Sequence, residues 1–153
     1  MLLNQLELVK HDLLGLARAM PEEQFDFRPR EGAFADARTF GEQVKHTATV
    51  IFLTAAIVLE ERSPHPPGTG DNGPDEVQGK AQIVAYLERA LEYAARALAS
   101  VTEANRLDRV STYFGAQTRE EVAAGIAYHS YNHYGQMVVY ARLTGIVPPS
   151  SQR

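Results

Sequence analysis

His129 and His133 stand four residues apart in the stretch Tyr128-His129-Ser130-Tyr131-Asn132-His133-Tyr134-Gly135-Gln136. On a helix, that spacing puts both imidazoles on one face, with Cβ atoms roughly 5–6 Å apart. Two rings so placed can bind one divalent ion at about 2.0–2.1 Å. The pair alone is a weak signal, because core and surface histidines also fall at this spacing. The neighbourhood strengthens it. Polar aromatic and amide groups crowd the middle of an otherwise apolar segment, with Ile126 and Ala127 before them and Met137, Val138 and Val139 after. Buried polar groups need partners, and a metal with its surrounding hydrogen bonds supplies them.

His46 sits among Val44, Ala48, Ile51 and Phe52. A lone histidine on such a face is more often held by a backbone or side-chain partner than by a metal. Three inward histidines from two helices crowd one another, however, and zinc-type sites use three such ligands and leave a position for water. Glu42 lies one turn before His46 and is a weak catalytic candidate, as a base or a group that orients a histidine. Its competing role is to cap a helix, which the local pattern favours. Gln136, one helical repeat after His129, is the second weak catalytic candidate. Gln43, Tyr131 and Asn132 are candidates for the surroundings of the ion, although Tyr131 and Tyr134 fit helix packing better. His11 and His65 are assigned no role.

Four helical segments must position these residues. The first runs from about Leu2 to Met20, with Leu2, Leu6, Val9, Leu13, Leu16 and Met20 at helical spacing and Pro21 ending it. A connection of about Glu22 to Arg38 is long for a bundle and is expected to pack over one end. The second helix, about Thr39 to Arg62, opens on a Thr39/Glu42 capping box. Ser63 to Gly73 reads as an exposed Pro/Gly loop. The third helix, about Lys80 to Thr102, has an apolar stripe of Ile83, Leu87, Leu91, Ala94 and Leu98. Its outer face has Glu92 and Arg96 spaced for an i,i+4 ion pair. A polar linker leads to Gln117, and Thr118/Glu121 repeats the capping box. The fourth helix runs to about Leu143, with Gly145 as its C-terminal cap and Pro148-Pro149 beyond. No strand alternation and no internal repeat is visible. The expectation is a single all-α domain over residues 1–153, a four-helix bundle.

Composition narrows the function. The net charge is −4, with no basic stripe to neutralise phosphates, so nucleic acid is not an expected partner. With no cysteine, disulfides, a thiolate nucleophile and cysteine ligands are excluded, and any metal falls to His, Asp, Glu or water. Glu7, Lys10, His11, Asp12 and Arg18 interrupt the first segment, which therefore does not read as a signal peptide. The most apolar run, Ala48 to Leu59, is shorter than the roughly 20 residues a membrane span needs. The expected location is the cytoplasm, with no membrane partner.

Two segments together are specific: Thr39-Phe40-Gly41-Glu42-Gln43-Val44-Lys45-His46 and His129-Ser130-Tyr131-Asn132-His133-Tyr134-Gly135-Gln136. With the closing Arg142-Leu143-Thr144-Gly145-Ile146-Val147-Pro148-Pro149, the sequence resembles the DinB-like superfamily of bacterial four-helix-bundle metal-binding proteins over nearly its whole length. The resemblance implies an up-down-down-up bundle with a long crossover and metal ligands at His46, His129 and His133. It also implies zinc or nickel as the divalent ion, and homodimers. Some relatives are transferases or isomerases that use low-molecular-weight thiols. Three neutral ligands leave the ion its full charge, which favours a bound anion and activates water or a thiol. Two enzyme readings follow, a thiol-dependent transferase or isomerase and a hydrolase, each acting on a small molecule. The alternative is a non-catalytic metal-stabilised dimeric bundle or ligand-sensing module. A further alternative is that the histidines are an empty remnant.

Overall fold

The computed structural model describes residues 1–34 and 36–152; residue 35, inside the first connection, and residue 153 lie outside the described residues. Helix α1 consists of an α-helix Leu2–Val9, a π turn Lys10–Leu14 and an α-helix Gly15–Ala19. Its stripe is core as expected, with Leu6, Val9, Leu13, Leu16 and Met20 buried. The π turn is not visible in the spacing. It lets the adjacent Leu13 and Leu14 both enter the core.

Helix α2 is Phe40–Leu59. Its capping box forms: Thr39 Oγ1 accepts from the Glu42 N–H at 3.2 Å, and the Glu42 carboxylate accepts from the Thr39 N–H at 2.7 Å. The long connection satisfies the next free donors, since Phe40 N–H donates to the Phe27 carbonyl and Gly41 N–H to that of Phe25, both at 2.8 Å. Phe25 also meets Phe40 edge-on, with ring centroids 5.3 Å apart, and Phe27 meets Tyr140 at 5.9 Å. The connection thus packs over one end of the bundle. The helix stops three residues short of Arg62, where Glu60 turns left-handed at φ 55°.

Helix α3 is Gly79–Ala99, and Ile83, Leu87, Leu91, Ala94 and Leu98 are all buried. The Glu92/Arg96 pairing is corrected. Arg96 turns to Glu61 at 2.5 Å, where Tyr93 also donates to the same carboxylate. Stacking of the guanidinium over Tyr93, 4.8 Å from the ring centroid, adds a contact that Glu92 does not offer.

The expectation of no strands is also corrected. Arg109–Thr112 (β1) and Gly115–Thr118 (β2) form an antiparallel hairpin with Arg109 opposite Thr118 and Thr112 opposite Gly115. Tyr113 and Phe114 make its turn. Helix α4, Arg119–Leu143, begins at a second capping box on Thr118 and Glu121. It ends as anticipated around Gly145: at φ 83°, Gly145 lets its own N–H reach the Arg142 carbonyl and the Ile146 N–H reach that of Ala141.

Helix α2 packs mainly on α3 and α4, and α1 on α4 and α3, around one continuous apolar core. Arg119, almost wholly buried, donates to the Val58 carbonyl and pairs with Glu60 at 2.6 Å, tying the start of α4 to the end of α2. Among the described residues, no helix is long and apolar enough to cross a membrane.

Candidate metal centre

Helices α2 and α4 bring His46, His129 and His133 together. The ring centroids of His46 lie 5.2 Å from His129 and 4.6 Å from His133, and the two α4 rings are 4.5 Å apart. One ring nitrogen from each lies within 4.8 Å of the others. Bonds of about 2.0–2.1 Å to a tetrahedral ion would place such nitrogens roughly 3.4 Å apart, within reach of small ring rotations. Among the described residues, no carboxylate joins this group.

Two rings are oriented by groups that accept from Nδ1–H and leave Nε2 as the donor to a metal. His46 Nδ1 meets the Asp71 carbonyl at 2.9 Å, and His133 Nδ1 meets Gln43 Oε1 at 2.6 Å. Gln43 is itself held, because its Nε2 donates to Gln136 Oε1 at 3.1 Å. His129 differs: its Nδ1 is buried and has no hydrogen-bond partner. A buried polar nitrogen without a partner is costly, and coordination is one way to satisfy it.

Electrostatics prepare the same role. Burial pushes the His46 pKa down, against the opposing hydrogen bond to Asp71, and takes that of His129 to about 4 and that of His133 to about 3; neighbouring rings add to the effect at His129 and His133, and Arg38 adds to it at all three. All three are neutral near pH 7, the state in which imidazole binds a metal. The residues present therefore fit a divalent ion.

Glu42, the expected weak base, lies in the capping box described above and lines two clefts beside Thr39 that the histidines do not line. Among the described residues, Gln136 hydrogen-bonds to Gln43 and to the Asn132 carbonyl rather than to a histidine. The crowded polar stretch of α4 is mostly solvated: Tyr128, Tyr131, Asn132 and Gln136 are exposed, while Ser130, His133 and Tyr134 are buried. That corrects the premise that the whole stretch is buried, because helical geometry turns only one face inward. Tyr131 and Tyr134 pack against each other, with centroids 6.0 Å apart. His11 pairs with Asp12 on the surface. His65, from the Pro-rich loop, packs on Phe52 at 4.7 Å and Tyr86 at 5.2 Å.

The loop that serves His46 was not expected to reach the site. Asp71 adopts φ 57°, and Gly73 N–H closes the loop on the Pro67 carbonyl at 2.8 Å. A Cβ on Gly73 would lie 2.7 Å from Thr49 Oγ1 of α2. Arg38 braces the same loop through Asn72 and Gly70. The only sequence signal was the run Gly68-Thr69-Gly70-Asp71-Asn72-Gly73-Pro74, which marks a turn but not what it touches.

The fold and this site define an all-α four-helix protein with a three-histidine centre of the kind that can hold a metal ion. The chain belongs to the DinB superfamily, whose family model matches residues 5–137. Its structure is similar to the crystal structure of a DinB-like protein from Bacillus cereus, with a TM-score of 0.73 at 18% identity, covering 97% of this chain and 93% of that one. No curated protein matches the chain.

Proposed function

We propose that the protein binds one divalent metal ion, zinc or nickel, through His46, His129 and His133, and that this centre acts on a small molecule. The observation that carries the reading is the convergence of three neutral rings, two of them tied at Nδ1. A divalent ion there would supply Lewis acidity, activating water for hydrolysis or a low-molecular-weight thiol for transfer or isomerisation. The chain's own groups orient the rings through Asp71 and Gln43 and keep them neutral by burial. Three protein ligands, with no carboxylate in the group among the described residues, favour a catalytic site over a closed structural one. Glu42 and Gln136 stay as candidates for proton handling or substrate contact.

The reading includes a single domain over residues 1–153 with up-down-down-up topology and a long crossover. Side-chain pairs support it. Gln43 meets Gln136 while Val58 meets Arg119, so α2 and α4 run oppositely. Lys45 reaches Pro74, Thr49 Tyr86 and Glu61 Arg96, so α2 and α3 run together. Tyr131 reaches Asp12, and Thr144 reaches Met20, so α1 and α4 run together. Homodimers and a cytoplasmic location complete the proposal. Exposed Leu3 and Leu8 on α1 and Tyr128 and Val139 on the adjoining α4 offer apolar surface for the dimer.

Elemental analysis of tag-free protein after growth with divalent metals is the test. One ion per chain is expected in the wild type and well under half of that in His133→Ala. Metal-free wild type after supplementation, or full loading of the variant, contradicts the assignment.

A further inference from the structure

Arg38 sets a positive charge beside the three neutral rings. Its Nε donates to Asn72 Oδ1 at 2.6 Å and its Nη2 to the Gly70 carbonyl at 2.8 Å. Those acceptors flank Asp71, whose carbonyl holds His46. The guanidinium is thus clamped, half-buried, on the loop that holds His46, and its charge acts on all three rings. Both acceptors are uncharged. Among the described residues Arg38 forms no ion pair. The Asp71 carboxylate acts on His46 but does not reach ion-pair distance of Arg38.

A fixed cation next to a centre that takes a dication is unfavourable unless an anion joins them. The guanidinium geometry says which kind. Of its five N–H groups, the one on Nε and one on Nη2 serve the loop. The remaining three are on Nη1 and Nη2, the edge that receives two oxygens of a planar anion side by side. We propose that Arg38 recognises a carboxylate on the small molecule that binds at the His46–His129–His133 centre. The ligand then carries its carboxylate a few atoms from the group that meets the metal. The second contact rests on the metal reading above; the contact with Arg38 does not.

The test compares 3-mercaptopropionate with the neutral 2-mercaptoethanol. In cobalt(II)-loaded protein, followed by its visible absorption, the charged thiol should bind about tenfold to a hundredfold tighter, as a charge-assisted two-point contact predicts. In metal-free protein, the side-chain Nε–H resonance of Arg38 should shift saturably with 3-mercaptopropionate and stay still with 2-mercaptoethanol. The preference should vanish in Arg38→Gln, whose affinities for the two thiols should become equal within about twofold, whatever the loss of the loop brace costs both of them. Equal affinities in the wild type, a preference that survives Arg38→Gln, or a still Arg38 resonance overturns the proposal. Failure to take up cobalt would sink the metal reading alone, because the metal-free titration still decides the role of Arg38.

Discussion

Gln43 links the two halves of the centre. One amide holds His133 with its oxygen and Gln136 with its nitrogen, and it is 3% exposed. Removing a group that orients a ligand typically weakens metal binding by about 10–100-fold. Gln43→Ala should fall in that range in a competition titration with a chromophoric chelator; unchanged affinity would show that His133 is held by packing. Proton linkage gives a second residue-scale expectation. The folded pKa values of the three rings lie below the ordinary 6.5, so as pH falls the unfolded chain takes up protons first. Their contribution to stability is complete above about pH 6.5 and is lost as pH falls towards about 4 for His129 and about 3 for His133. Thermal melts of metal-free protein should therefore show the midpoint falling between pH 6.5 and 5, and less so in His129→Phe. A flat profile would mean the rings are solvated. His129 and His133 were legible because helical spacing links residues close in sequence, and His46 joined them through the family resemblance. Arg38 and Asp71 were not, because their contacts span 25 to 34 residues through a loop with no period.

At the scale of elements, the 67–74 loop is the part whose contribution to the site composition hid. Gly73 adopts φ 81°, and a Cβ there would meet Thr49 at 2.7 Å. Gly73→Ala should cost more than about 1 kcal/mol, since both strain and a clash oppose it. It should also weaken metal binding, because the loop carries the Asp71 carbonyl. Chemical denaturation and metal titration of one variant check both parts; normal values for both would separate the loop from His46. The hairpin was hidden for a different reason. Its strands have four residues each, only Val110 is buried, and the turn is Tyr113-Phe114 rather than Asn-Gly, so neither period nor turn chemistry marks it. The helices were readable because capping boxes at Thr39 and Thr118 and the stripes on α1 and α3 repeat one signal several times over.

For the whole molecule, the centre is a clasp between α2 and α4 at one end, as Arg119 with Val58 and Glu60 is at the other. A ligand that binds only the folded state stabilises it by about 2.7 kcal/mol at a hundred times its Kd. For a domain of this size that is a rise of roughly 5–11 °C in Tm. Zinc or nickel added to metal-free protein should produce such a rise, and His46→Ala should abolish it. A shift retained in that variant would place the ion elsewhere. The bundle was readable from four helical segments, two marked by apolar stripes and two by capping boxes. Which helices are neighbours was not, because that depends on side-chain pairs such as Arg18–Glu88 that no local pattern foretells.

The central claim is that His46, His129 and His133 share one ion, and anomalous diffraction addresses it directly. Crystals of the tag-free protein grown with zinc, measured on both sides of the zinc absorption edge, should give one strong anomalous peak per chain bonded to a nitrogen of each of the three rings. Absence of that peak with full zinc present, or a peak held by other residues, would contradict the account.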